Sequence, residues 1–123
     1  MTDNIQNNVE RICKLLYEKK AVDIVTINIT DRTIIADYFV ICSGRSSVQI
    51  KALCDELETV LGTGLELRRI EGYAGARWIV MDFNDILVHI FHPEERVYYN
   101  IERLWVEGDN YMDYSATQKD NES

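Results

Sequence analysis

Val9, Ile12, Cys13 and Leu16 recur at helical spacing among polar neighbours, which predicts an amphipathic helix over residues 4–20. Lys19 and Lys20 sit where a helix C-terminus favours cations. The run 23-DIVTINI-29 is β-branched and partly alternating, a strand; residues 30–36 read as a loop or a short helical turn. Next, 37-DYFVICS-43 is so continuously apolar that a strand covered on both faces is expected. Gly44 breaks it. Ser46 with Gln49 three residues on makes a capping box, opening a helix with Ile50, Leu53, Cys54, Leu57 and Leu61 on its inner face. Gly62 and Gly64 end that helix, 65-LELRRI-70 reads as a short strand, and 71-EGYAGA-76 as a mobile loop. Two strands follow, 77–82 and 85–91, and Pro93 opens a last helix with Val97, Ile101 and Leu104 as its apolar stripe. After Val106 the periodicity stops, so residues 1–105 are expected to form one domain and 106–123 an acidic, flexible tail. The element order α-β-β-α-β-β-β-α predicts a single α/β or α+β domain: a five-stranded sheet with helices on at least one face.

Asn tolerates positive φ, so Phe83–Asn84 can form a two-residue hairpin turn that pairs Asp82 with Asp85 and Trp78 with His89. Alternation then sorts the hairpin into two faces. Ile79, Met81, Ile86, Val88 and Ile90 make a wholly aliphatic face that must lie under the helices. Trp78, Val80, Asp82, Asp85, Leu87, His89 and Phe91 make a mixed one. A carboxylate buried without a partner costs several kcal/mol, so the aspartates are expected at the surface. Indole and imidazole beside each other suit an exposed contact patch.

Blander readings stand beside each of these. Asp82 and Asp85 also suit a turn that simply prefers water. His89 also suits a satisfied cross-strand neighbour of Trp78, and His92, before Pro93, suits a helix entry or cap. Tyr98, Tyr99 and Trp105 lie partly off the helix stripe and fit edge core or exposed patch equally.

Charge narrows the function. The chain carries 21 acids against 13 bases, net −8, which argues against affinity built on phosphate neutralisation and leaves a basic protein as a suitable partner. Cys13, Cys42 and Cys54 lie in apolar patterns without C-x-x-C spacing and read as reduced core thiols; a catalytic thiolate is the sharper alternative, with no base aimed at any of them. The N-terminus has neither a basic nor an apolar leader pattern, and no run nears the ~18 apolar residues of a membrane span, so a cytoplasmic protein is expected. His89 and His92 at i, i+3 on a strand diverge, which leaves no converging metal set. Ser43-Gly44-Arg45-Ser46 resembles a phosphate-gripping turn, yet neither glycine-rich nucleotide signature is present.

The segments ADYFVICSGRSSVQIKAL, EG at 71–72 and RWIVMDFNDILVHIFHPEERVYYNIERLW, in this order, resemble the ribosomal silencing factor family, also called Iojap-like. The family pattern falls on Asp37, Tyr38, Ser43, Gly44, Ser46, Gln49, Glu71, Gly72, Trp78, Asp82, Asp85, His89, Phe91, Arg96, Tyr98, Tyr99, Glu102, Leu104 and Trp105. Asn84 stands where many members have Gly. The resemblance implies a nucleotidyltransferase-like fold without its catalytic carboxylates, since Glu66-Leu67-Arg68 stands where that fold's Asp-x-Asp would be. It implies no enzyme, no cofactor and no metal. It implies instead a protein that binds the large ribosomal subunit through its ribosomal protein number fourteen, blocks joining of the small subunit and represses translation when nutrients are scarce. The expected partner contacts are Trp78, Asp82, Asp85, His89, Phe91, Tyr98, Tyr99 and Trp105, with no membrane and little direct nucleic-acid contact. Two alternatives stay open: a nucleotide-binding enzyme using Ser43–Ser46 with Asp82 and Asp85, and a homodimer pairing through the hairpin face.

Overall fold

The computed structural model describes residues 2–122. Helix α1 (Thr2–Glu18) buries Val9, Ile12, Cys13 and Leu16, the predicted stripe. Strand β1 (Val22–Asn28) runs antiparallel to β2 (Tyr38–Ser43). Helix α2 (Ser47–Leu61) follows, capped as its sequence predicts: the Ser46 hydroxyl accepts from the Gln49 N–H at 3.1 Å, and Gln49 Oε1 accepts from the Arg45 N–H at 2.6 Å. Beyond it come β3 (Arg69–Glu71), β4 (Trp78–Asp82) and β5 (Ile86–Phe91), then the short helices α3 (Pro93–Tyr99) and α4 (Ile101–Trp105). Strand β6 (Tyr111–Asp113) and helix α5 (Tyr114–Glu122) end the described chain.

The sheet has six strands in the order β3-β4-β5-β2-β1-β6, all antiparallel except β2 against β5. Helices α1 and α2 cover one face. Their stripes close over Ile24, Val40, Cys42, Ile79, Met81, Ile86, Val88 and Ile90, the aliphatic face expected of the hairpin. A second core lies on the opposite face, built from Val25, Ile27, Ile29, Ala36, Phe39, Ile41 and Phe91.

Four expectations need correction. The hairpin register is shifted: Trp78 opposes Phe91, Val80 opposes His89 and Asp82 opposes Leu87. Phe83 is buried in the helix-side core, and the Asp85 carbonyl accepts from the Asp37 and Tyr38 N–H groups, so Asp85 serves the junction with β2 rather than pairing with Asp82. The slip is two residues, an even number, so every side chain keeps its predicted face. Secondly, 65–67 is not strand. Leu65 and Leu67 donate back to the Leu61 and Gly62 carbonyls, Glu66 takes φ 57°, and pairing starts only at Arg69.

The third concerns the last helix, which breaks at Asn100, held at φ 44° in the left-handed region. The break dissolves the predicted stripe: Val97 is 79% and Leu104 67% exposed, and neither short helix fully buries a residue. Finally, the expected tail is part of the fold. Tyr111, Met112 and Asp113 pair with Ile27, Thr26 and Val25, Tyr114 and Ser115 are buried, and the Ser115 hydroxyl accepts from the Ile24 N–H at 2.8 Å. Without β6 that edge of β1 would lack hydrogen-bond partners.

Candidate functional site: the aromatic face

Phe39 of β2, Trp78 of β4, and His89 and Phe91 of β5 share the face opposite α1 and α2, and α3 and α4 lay Tyr99 and Trp105 onto them. Trp78 stacks on Phe91 with centroids 4.8 Å apart and meets Tyr99 at 4.8 Å. Phe39 stands edge-on to both His89 (4.6 Å) and Trp105 (5.3 Å). Tyr98 meets Tyr99 edge-to-face at 4.9 Å and is itself 81% exposed. The centre of this face is closed and its top is open to water.

His89 lies at the centre. The Trp78 indole N–H donates to His89 Nδ1 at 3.1 Å. Because an indole can only donate, that nitrogen carries the lone pair and the proton of the neutral ring sits on Nε2. Nε2 is buried and finds no hydrogen-bond partner among the described residues. Burial among aromatic rings pushes the imidazole down to about 4 from its ordinary value, so His89 is neutral at physiological pH. It stands opposite Val80 and diagonal to Trp78, held in the core, and His89 and Phe91 are not the exposed residues that the pattern of the hairpin suggested. A second aromatic layer covers them.

The remaining expected contacts sort by position. Trp78 and Trp105 are half-buried, and Tyr99 is 48% exposed. Asp82 and Asp85 lie at the β4–β5 turn, where Asp82 Oδ1 accepts from the Asn84 N–H at 2.7 Å and Asn84 takes φ 76°. His92 caps α3, its Nδ1 accepting from the Glu94 N–H at 3.2 Å. The structure adds three residues absent from the expected contacts, Phe39, Val97 and the exposed Leu104. Phe39 joins His89 to Trp105. Val97 stands beside Tyr98 in sequence and equally in water, and the signal for it was Asn100, a residue suited to a left-handed break in the helix.

Arg96 holds the corner between the two short helices. Its guanidinium donates to Glu102 (Nε to Oε1, 2.9 Å) across the Asn100 break and to the Ser43 hydroxyl at 3.0 Å. Ser43 is thereby occupied. Gly44 is buried against Ile50, where a Cβ would come within 2.7 Å of the Ile50 side chain. The turn expected to resemble a phosphate grip is a packing turn whose Arg45 N–H already has an acceptor. Loop 71–76 is likewise pinned: the Tyr73 hydroxyl donates to Asp55 at 2.9 Å, Ala76 is buried, and Gly72 at φ 83° lies where a Cβ would strike the Trp78 carbonyl. The three cysteines are free and buried, and burial raises all three thiols, Cys42 and Cys54 to about 12. Among the described residues no cluster of His, Cys, Asp and Glu could hold a metal ion, and no helix is long and apolar enough to cross a membrane.

What remains is a mixed α+β domain whose distinctive chemistry is stacking and apolar contact. The family model for ribosomal silencing factor during starvation, RsfS, matches residues 2–123. The chain belongs to that family. The ribosomal silencing factor RsfS of Halalkalibacterium halodurans is 46% identical over 89 residues, 72% of this chain and 76% of the relative. A crystal structure from Bacillus halodurans is 40% identical and superposes with a TM-score of 0.73, covering 84% of this chain and 99% of that one. More distantly, the mouse protein named mitochondrial assembly of ribosomal large subunit protein 1 is 31% identical over 80% of this chain, which spans 45% of that protein.

Proposed function

We propose that this protein docks its aromatic face on the large ribosomal subunit, through the subunit's ribosomal protein number fourteen, and sterically blocks the small subunit. Translation is thereby repressed in the cytoplasm when nutrients are scarce. One observation carries this: Val97, Tyr98, Tyr99 and Leu104 stand in water on helices that fully bury nothing, directly above a closed aromatic layer. Apolar groups fixed in position lose little entropy on binding, and tyrosine is enriched among residues that dominate interfaces. A net charge of −8 favours a basic protein over RNA as the surface it meets. In the free protein the same group of side chains is open to a second copy.

Co-sedimentation with separated large and small subunits, followed by a subunit-joining assay, tests the proposal. The wild type should travel with the large subunit alone and reduce joining. Tyr98→Ala should fold normally, because the ring is mostly in water, yet bind large subunits about 30-fold more weakly, as expected for a central aromatic worth about 2 kcal/mol. Unchanged blocking by folded Tyr98→Ala would place the docking face elsewhere.

A further inference from the structure

The loop between β1 and β2 carries an unexplained cost. Ile34 is fully exposed and Ile35 is 58% exposed, two consecutive β-branched aliphatics in water. The loop around them is held in place. Thr30 N–H donates to Asn28 Oδ1 at 3.0 Å, Arg32 N–H to the Ile29 carbonyl at 2.9 Å, and Ile35 N–H to the Thr33 hydroxyl at 3.2 Å. Asp37 N–H donates to the Asp85 carbonyl at 2.8 Å. A tethered loop with an apolar tip is a shape prepared for contact, because its ordering cost is met before a partner arrives.

Its position says which contact. The loop leaves and rejoins the sheet through Ile29 and Ala36, both buried in the same core as Phe39 and Phe91. Arg32 forms an ion pair with Glu107, two residues beyond Trp105, which ties the loop to the end of α4. There Leu104 and Val106 are also exposed, so apolar side chains reach water at this end of the aromatic face as well as at the Tyr98 end. Carboxylates surround the loop: Asp31, Asp37 and Asp85, with Arg32, the loop's one cation, engaged by Glu107.

We infer that Ile34 and Ile35 are a second anchor of the docking surface, entering an apolar recess on the same basic large-subunit protein that meets the aromatic face. This rests on the docking reading above and extends it from one patch to two, joined across the Phe39–Trp105 contact. Two anchors fix orientation as well as affinity. A protein that acts by obstructing the joining face must be held at one angle to the subunit, and a single patch leaves rotation about itself free.

The test measures binding of fluorescently labelled protein to purified large ribosomal subunits for wild type, Ile34→Ser/Ile35→Ser and Tyr98→Ala. Both isoleucines are already largely in water, so the double variant should melt with the wild type. Its Kd should rise about tenfold, the effect of a secondary anchor; a rise below about threefold in a folded variant overturns the inference. Where Tyr98→Ala loses affinity and the double variant does not, the second anchor fails and the aromatic-face reading stands. Where only the double variant loses affinity, the loop contact stands and the aromatic-face reading fails. Light scattering on the free protein supplies a second arm. A wild-type dimer that becomes monomeric in the double variant assigns the loop to a second copy and overturns the inference. A photo-crosslinking residue at position 35 should capture the same subunit protein as one at position 98; capture of a different protein overturns the shared recess.

Discussion

The two faces of the sheet are built from the same strands yet finished differently. On one, α1 and α2 lay long aliphatic stripes over Ile79, Met81, Val88 and Ile90, all fully buried. On the other, a layer of Phe39, His89 and Phe91 is sealed by Trp78 and Trp105, and the two helices above it turn Val97, Tyr98 and Leu104 outward. The difference lies in helix length and in Asn100. A 15-residue helix can align four turns of apolar residues with a sheet, whereas α3 and α4, of 7 and 5 residues, are broken by a left-handed residue before a stripe can form. The first face is a completed core. The second is completed at its base and unfinished at its top, and the unfinished part is available to another molecule.

If the helix-covered face is the source of stability, removing its C-terminal support should have the largest effect. Truncation after Val106 deletes β6 and Tyr114, which packs edge-on to Tyr17 at 6.1 Å in the helix-side core, and it frees the Ile24 N–H. The loss should be about 4 kcal/mol, similar to deleting a buried aromatic, lowering Tm by roughly 15 °C in a chain of this size. A truncated protein that melts within a few degrees of the full chain would show that β6 only decorates the edge. Next in size, Leu57→Ala, fully buried on α2, should cost about 3 kcal/mol by leaving a cavity. Tyr98→Ala should change stability by less than about 0.5 kcal/mol. Denaturant melts of the two variants compare the faces directly, and equal losses would erase the distinction between them.

That distinction was half legible in the sequence. Strand alternation assigned the strand residues of the hairpin to their faces, though not Phe83, and the assignment survived the two-residue register slip because side-chain direction depends only on parity. The α2 cap and core stripe were legible because both are local. Contacts distant in sequence were not. Ser115 reaches Ile24 across 91 positions, and no pattern within Tyr111–Asp113 announces an edge strand three residues long. His89 and Phe91 looked exposed because the residues that cover the face, Trp105 above all, arrive from a helix whose break at Asn100 the apolar spacing of Val97, Ile101 and Leu104 concealed.

The base of the aromatic face should reveal itself through pH. His89 is depressed in the folded state, to about 4 from an ordinary 6.5. Between those values the unfolded chain takes up a proton that the folded chain refuses, so stability is full above the ordinary value and falls as pH drops through this window. Between pH 7 and pH 5 the loss from this group should be about 2 kcal/mol. Glu95, held low by Arg77, adds its own loss only below the usual carboxylate range. His89→Phe removes the titrating group and should flatten the slope of stability between pH 7 and 5, measured by urea melts at each pH, whatever it does to the absolute value. A slope unchanged in His89→Phe would mean that the imidazole is reached by water and the base of the face is not closed.

The smallest effects should come from the carboxylates at the rim, which separate into two kinds. Asp82 accepts the Asn84 N–H and so supports a turn whose central residue is at positive φ, whereas the Asp85 side chain is exposed and its backbone carbonyl provides the link to β2. Asp82→Ala should therefore cost about 1 kcal/mol of stability by removing a local acceptor, while Asp82→Asn, which keeps an oxygen in place, should cost less. Asp85→Asn should leave stability unchanged. For docking on a basic surface both Asn variants lose one charge, so each should weaken large-subunit binding less than about fivefold, mainly through a slower association rate, and the deficit should shrink as salt rises and screening shortens the reach of the charges. Association rates of the two Asn variants at low and high salt decide the matter. A deficit that does not shrink with salt would make the aspartates direct hydrogen-bonding contacts inside the interface, and the acidic margin would then belong to the docking surface itself.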